Sequence, residues 1–436
     1  MKELAKHINN NKLYIYASLL IFTLLNISYV FDVSPKFYDT YLPFLLEFNL
    51  TKFISIIVLT LLITIIGGII NSNFIRLIWF TVLIMQYYSS AVLYTYCPNI
   101  SFGIVLQNII LLFFIFLGDF INPKIPTINI SLSNNYKYFL ILAVLLFSPF
   151  IYYYWQYISI ENLLFDKLKI YETRALFRQI NVPLLGYLSS PLSRVIFPIL
   201  MVYAIKSKKY YLFIISAVAI TYLFLCSATK SVLIGGILAV FFYYGNEWKD
   251  KFKLFSILII SLLLISFTAS YFFHFKDITD AFVRRVFFVP PYLDNVYHQY
   301  FSSNFTYWGH SPFGMHIHNI DYMNGKNITM FMGEDVLGFK GLNANIGIIT
   351  EGYLSFGYIG VIIHAIAFSL IFIYIKSLNI SPLYFGIIFA YLFYLNSSLL
   401  STLLITHGLL FLLLVFTLFL QNSKESDIIQ NNTNKL

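Results

Sequence analysis

Apolar runs of roughly 18 residues or more, nearly free of charge, recur along almost the whole chain, and few folds can accept that pattern. In lipid every backbone N–H and C=O must be paired inside the protein, and a helix does this within its own segment. Composition agrees: 59% of the 436 residues are hydrophobic and 11% are charged, where a soluble globular domain carries about a quarter charged residues. The expected fold is an all-α polytopic membrane protein, with residues 1–436 forming one integral membrane domain.

Twelve spans are expected, at 13–31, 53–70, 77–96, 101–118, 138–158, 184–205, 210–226, 231–244, 254–273, 346–375, 380–396 and 398–420. The eighth is short for a ~30 Å hydrocarbon core and the fourth just adequate. The tenth is too long, and its FGYIG predicts a short helix, a glycine bend at Gly357 to Gly360, and then the span itself. The N-terminal MKELAKHINNNK has no cleavable signal pattern, so the first helix is expected to stay as an anchor. Residues 421–436 read as a polar cytoplasmic tail.

The net charge of +9 does not imply nucleic acid, because the lysines are scattered through short loops. With the N-terminus inside, 15 of the 28 basic residues fall in cytoplasmic segments and six in the short outer loops 32–52 and 159–183. Cys97 and Cys226 have no metal-ligand or CxxC spacing. Phosphate-binding motifs of the GxxxxGK[ST] or GxGxxG type are absent, which argues against ATP-driven work. No cofactor is expected.

Two outer segments exceed ordinary turns. Residues 159–183 have amphipathic helical spacing, with Lys167, Tyr171, Arg174 and Arg178 on one face. Residues 274–344 form a large extracytoplasmic loop holding five of the eight histidines, too aromatic to be disordered. Arg194 lies in the sixth span, Lys230 at the seventh-to-eighth handover, and Arg284 and Arg285 early in the large loop. Charges inside spans face cavities or partners, or else snorkel toward headgroups. Together these cations suit a polyanionic head group such as a pyrophosphate, whereas the plain alternative is a solvated helix face.

The large loop also supplies His298, His310, His316 and His318 among aromatics and amides, a mixture that suits sugar recognition. A lone histidine there can act as a base. His316 and His318 form HxH, but no carboxylate or cysteine cluster completes a metal site, so none is expected. Glu351 sits at the border of the tenth span among Gly347, Gly352, Gly357 and Gly360. Two readings stay open: a structural partner for an arginine such as Arg194 or Arg284, or a general base or substrate anchor in a reaction cavity.

The order of these pieces resembles the Wzy-type polymerases of bacterial O-antigen and capsule repeat units. The resemblance rests on the outer cations of 159–183, SATKSVLIGGIL at 227–238, the aromatic loop YHQYFSSNFTYWGHSP, and NANIGIITEGYLSFGYIGVIIHAI. It implies a GT-C-like polymerase and ligase architecture and a metal-independent glycosyltransferase in the bacterial plasma (inner) membrane. Its active site would face the outside or periplasm. It implies an undecaprenyl-pyrophosphate-linked oligosaccharide as substrate, with a flippase and a chain-length regulator as partners. The family's pyrophosphate arginines would map onto Arg174, Arg178 and Arg284 or Arg285, with Arg194 and Lys230 as further cations suited to the same group. The catalytic candidates are Glu351 and His310, and sugar contacts fall to His318, Asn343, Asn345 and Tyr353. Related O-antigen ligases carry a histidine ahead of the glutamate-and-glycine helix, where this chain has Asn343 and Asn345; that favours the polymerase. A lipid-linked oligosaccharide flippase or transporter is the rival from another class, and would favour internal repeats and midplane charges.

Overall fold

The computed structural model describes residues 11–126, 132–164, 166–179, 182, 185–314, 323 and 325–421, and among them it is helical with no strand. Ten helices are long and apolar enough to cross a membrane. Every expected span is helical, but Lys230–Phe241 and Pro382–Leu395 are shorter than the other ten. At 1.5 Å per residue the 12-residue Lys230–Phe241 helix reaches about 18 Å of a ~30 Å core. The protein is thus a multi-pass helical membrane protein.

The chain divides into two compact units. The first comprises residues 1–122, 252–373 and 392–401, and the second 123–251, 374–391 and 402–436.

The first unit is organised around the Asn73–Tyr96 helix, the most enclosed of the spans. Its sequence explains this, because bulky aromatics alternate with small polar residues that neighbouring helices can hydrogen-bond. Tyr87 and Tyr88 meet Thr60 and Thr64 of the Leu50–Ile69 helix, and Ser90 receives the Asn108 amide of the Phe102–Asp119 helix. Asp119 closes the turn before the Asn73–Tyr96 helix by accepting from the Asn71 and Ser72 amides.

The large loop is substantially helical. Thr279–Phe288 is a π-helical segment that runs into the helix Val289–Tyr300, and Ile328–Phe331 continues into Met332–Val336. The bend expected in the tenth span is present: within Ile348–Ser377 the backbone leaves helical geometry at Phe356 and Gly357. Gly357 has φ of 62° and ψ of −143°, a conformation that only glycine adopts readily.

The two halves of this broken helix then touch backbone to backbone. A Cβ on Gly360 would lie 1.9 Å from the Gly352 carbonyl oxygen. This close approach makes both residues glycine.

In the second unit the helices Phe197–Lys206 and Tyr210–Ser227 pair through a short turn, and Lys230–Phe241 packs against Phe197–Lys206. Ala228, in the left-handed region, ends the Tyr210–Ser227 helix. The Leu400–Leu420 span, whose residues from 402 onward belong here, is discontinuous: helix Leu400–Leu404 stops, Gly408 turns at φ of 78°, and helix Leu409–Val415 follows.

Candidate functional site

Glu351 lies in the first turn of the Ile348–Ser377 helix and is completely buried. A buried carboxylate is costly unless it is paired and hydrogen-bonded. Its partners come from three remote parts of the same unit. The Leu400 amide donates to Oε2 at 2.5 Å, His310 Nε2 lies 3.6 Å from Oε1, and His364 Nδ1 lies 3.9 Å from Oε2. Glu351 Oε1, His310 Nε2 and His364 Nδ1 are all buried without a well-formed hydrogen bond. Oε1 faces His310 Nε2 and Oε2 faces His364 Nδ1, so polar atoms short of partners meet here where a proton can be shared.

The loop ahead of His310 is tied to the helix break. When a helix stops, its last carbonyls lose their partners. The amides of Thr306 and Tyr307 donate to the Leu354 and Ser355 carbonyls, at 2.9 and 3.1 Å. The chain then turns through Tyr307 and Trp308, both at positive φ, and delivers two side chains inward. Thr306 Oγ1 sits 2.8 Å from His310 Nδ1, which orients that ring toward Glu351. Trp308 Nε1 donates to His364 Nε2 at 3.3 Å.

An indole N–H can only donate, so His364 Nε2 accepts and a neutral His364 carries its proton on Nδ1. The carboxylate and the two histidines read as a proton site. Among the described residues no group of three or more His, Cys, Asp or Glu side chains is arranged to hold a metal ion.

The arginine pairing considered for Glu351 is not what the protein forms. Arg284 bonds Asp280, with Nε at 2.6 Å and Nη2 at 2.5 Å, and packs over the Phe37 ring. The exposed Arg285 reaches the same carboxylate at 3.4 Å. Arg194 donates to Ser231 Oγ at 3.4 Å in the second unit. The partners of Glu351 are histidines because the loop 306–310 enters the helix break and occupies the space around the carboxylate.

Within the second unit several expected cations gather at one turn. Arg174, on the helix Lys167–Gln179, donates from Nε to the Ala228 carbonyl at 3.1 Å. Arg194 is buried in the π-helical segment Leu192–Ile196 and reaches Ser231, while Lys230 begins the next helix with an exposed side chain. The turn 227–231 thus collects Arg174, Arg194 and Lys230. The side chains of Lys167 and Arg178, and the whole of His316 and His318, lie outside the described residues. Asn343 and Asn345 are exposed just before the Glu351 helix, and Tyr353 is buried under a stacked His298 ring.

Sequence reasoning missed His364, Trp308 and Asp294. In an unbroken helix His364 would sit 13 residues, or about 20 Å, from Glu351, and only the break at Phe356–Gly357 brings the two together. The available signal was a titratable side chain inside an apolar span. Asp294, on Val289–Tyr300, accepts from Thr350 Oγ1 at 2.6 Å. By accessible surface the residue is only half-buried, yet the atoms around its carboxyl desolvate it. Burial pushes that carboxyl up to about 7, against the opposing effect of the Thr350 hydrogen bond. Burial also lowers the pKa of His298.

Compared with known proteins, no family model, no curated protein and no solved structure matches the chain.

Proposed function

We propose that this protein polymerises lipid-linked oligosaccharide repeat units for a bacterial surface polysaccharide, as the resemblance to Wzy-type polymerases implies. The observation that carries the reading is the buried Glu351 carboxylate with His310 and His364 turned toward it at the end of a membrane helix. It supplies a proton acceptor in a water-poor setting, which glycosyl transfer to a hydroxyl requires.

In this reading the acceptor hydroxyl oxygen bonds to the anomeric carbon of the donor chain. The bond from that carbon to the pyrophosphate oxygen breaks, and undecaprenyl pyrophosphate leaves. The hydroxyl proton passes to the Glu351–His310 pair. In this reading cations neutralise the departing pyrophosphate. Arg284 serves better as the partner of Asp280 than as a phosphate ligand, since that carboxylate already holds it. The same reading takes the chain through the membrane twelve times in a GT-C-like arrangement, with both termini cytoplasmic and the large loop outside the plasma membrane.

The discontinuous Leu400–Leu420 helix favours one rival, a flippase for the same lipid-linked substrate, because broken spans are common at transporter substrate sites. A deletion strain separates the two. Loss of the polysaccharide ladder with single repeat units still reaching the surface supports the polymerase. Loss of all surface sugar, with lipid-linked units held inside the cell, supports the flippase.

A further inference from the structure

The short helical half that carries Glu351 has a second acidic group against it. Glu351 is directed at His310 and His364, whereas the preceding residue, Thr350, is directed at the helix Val289–Tyr300. There Asp294 and His298, one turn apart, lie against Thr350 and Tyr353. The His298 ring stacks on Tyr353 at 4.3 Å between centroids and lies 3.4 Å from the Tyr358 hydroxyl. It fits there because Gly103 offers no side chain, and a Cβ at that position would come within 2.2 Å of its Nε2. Tyr358 is exposed.

Thr350 occupies Oδ1 of Asp294, and among the described residues no donor reaches Oδ2. Asp294 is half-buried, so the residue keeps some surface. No cation pairs with Asp294 among the described residues. The group therefore combines a carboxyl with one unengaged oxygen, an imidazole and an exposed phenol ring, all outside the Glu351 site.

We infer that Asp294, with His298 and Tyr358, forms a saccharide-binding subsite in which Oδ2 accepts hydroxyl protons and the Tyr358 ring offers an apolar face to a pyranose. A neutral, hydroxyl-rich ligand suits the position better than a cation, because a carboxyl whose proton dissociates near neutrality gives a cation only partial charge. Choosing a repeat-unit oligosaccharide as the ligand rests on the polymerase reading.

The test is binding to the full-length protein in nanodiscs. The probe is the repeat-unit oligosaccharide released by mild acid from the host's own surface polysaccharide, free of lipid, with maltohexaose as the unrelated control. Saturation-transfer NMR should show the repeat unit bound and maltohexaose unbound, with the dissociation constant raised at least tenfold in Asp294→Asn. Thr350→Val removes the tie between the helices but keeps the carboxyl, and should bind within about threefold of wild type.

Wild-type affinity in Asp294→Asn overturns the subsite. So does equal weakening by Thr350→Val, which would mean that Asp294 only holds the helix in place. Failure of the wild type to bind the probe, in a protein whose deletion collapses the polysaccharide ladder, overturns the subsite and leaves the polymerase standing. Binding that survives Thr350→Val and fails in Asp294→Asn, in a protein whose deletion leaves the ladder intact, supports the subsite and removes the polymerase.

Discussion

Two carboxylates in the first unit are almost fully withdrawn from water, and the protein treats them in opposite ways. Asp32, near the end of the first span, is 1% exposed and fully engaged. Lys36 reaches Oδ1 at 2.7 Å, Thr279 donates to Oδ2 at 2.7 Å, and the Ser270 hydroxyl closes on Oδ1. Glu351 is 0% exposed and receives one backbone amide, while its other oxygen faces a histidine ring beyond hydrogen-bond range. Asp32 has a permanent cation beside it; Glu351 has two groups whose charge depends on a proton. An anion saturated with donors fixes structure. One left with an open oxygen and titratable neighbours is equipped to exchange a proton.

The largest expected stability effect is at the saturated carboxylate. Asp32→Ala leaves Lys36, Ser270 and Thr279 without their shared acceptor, and stability should fall by about 3 kcal/mol. This would appear as a lower melting temperature and reduced membrane level, while polymer formed per folded molecule stays near wild type. A specific rate that collapses along with stability would erase the distinction between the two carboxylates.

A smaller effect, aimed at the open carboxylate, comes from Gly360→Ala. Its Cβ would be driven onto the Gly352 carbonyl, at a cost of about 1–3 kcal/mol, and the shift should move the helix that carries Glu351. The specific rate should drop at least tenfold with Asp32 untouched. Unchanged turnover would show that the two helix halves need not touch for the site to work.

Asp294 gives the smallest effect and lies between the extremes, with one oxygen engaged and one open. Its folded-state value of about 7 is above the ordinary 3.8, so the folded protein holds this proton more tightly than the unfolded chain. Its contribution to stability is therefore greatest below about pH 4, declines as pH rises from about 4 to about 7, and is flat beyond. Melting curves across that window should be flatter for Asp294→Asn than for wild type. Parallel curves would show that Asp294 is not held protonated.

Much of this was legible in the sequence. The ten longer spans announced themselves by length and lack of charge, and the glycine cluster announced the break within Ile348–Ser377. Glu351 and His310 were both visible as polar exceptions in their surroundings. Spacing could not reveal that a loop enters the helix break, because the carbonyls freed at Leu354 and Ser355 attract amides from residues 306 and 307, nearly 50 positions away. That event gave Glu351 the partner His310 in place of an arginine, while the break itself placed His364 beside it. Nor did the sequence reading pair Arg284 with the Asp280 carboxylate one turn earlier, which holds it.

The most direct test of the central claim is the polymerisation rate of purified Glu351→Gln in proteoliposomes supplied with lipid-linked repeat units. Glutamine keeps the shape of the side chain and an oxygen for the Leu400 amide but cannot take up the acceptor proton. The rate should fall by about 100-fold or more, with a melting temperature equal to wild type. Polymer made at the wild-type rate with glutamine at 351 would contradict the account and make the open carboxylate a structural feature like Asp32.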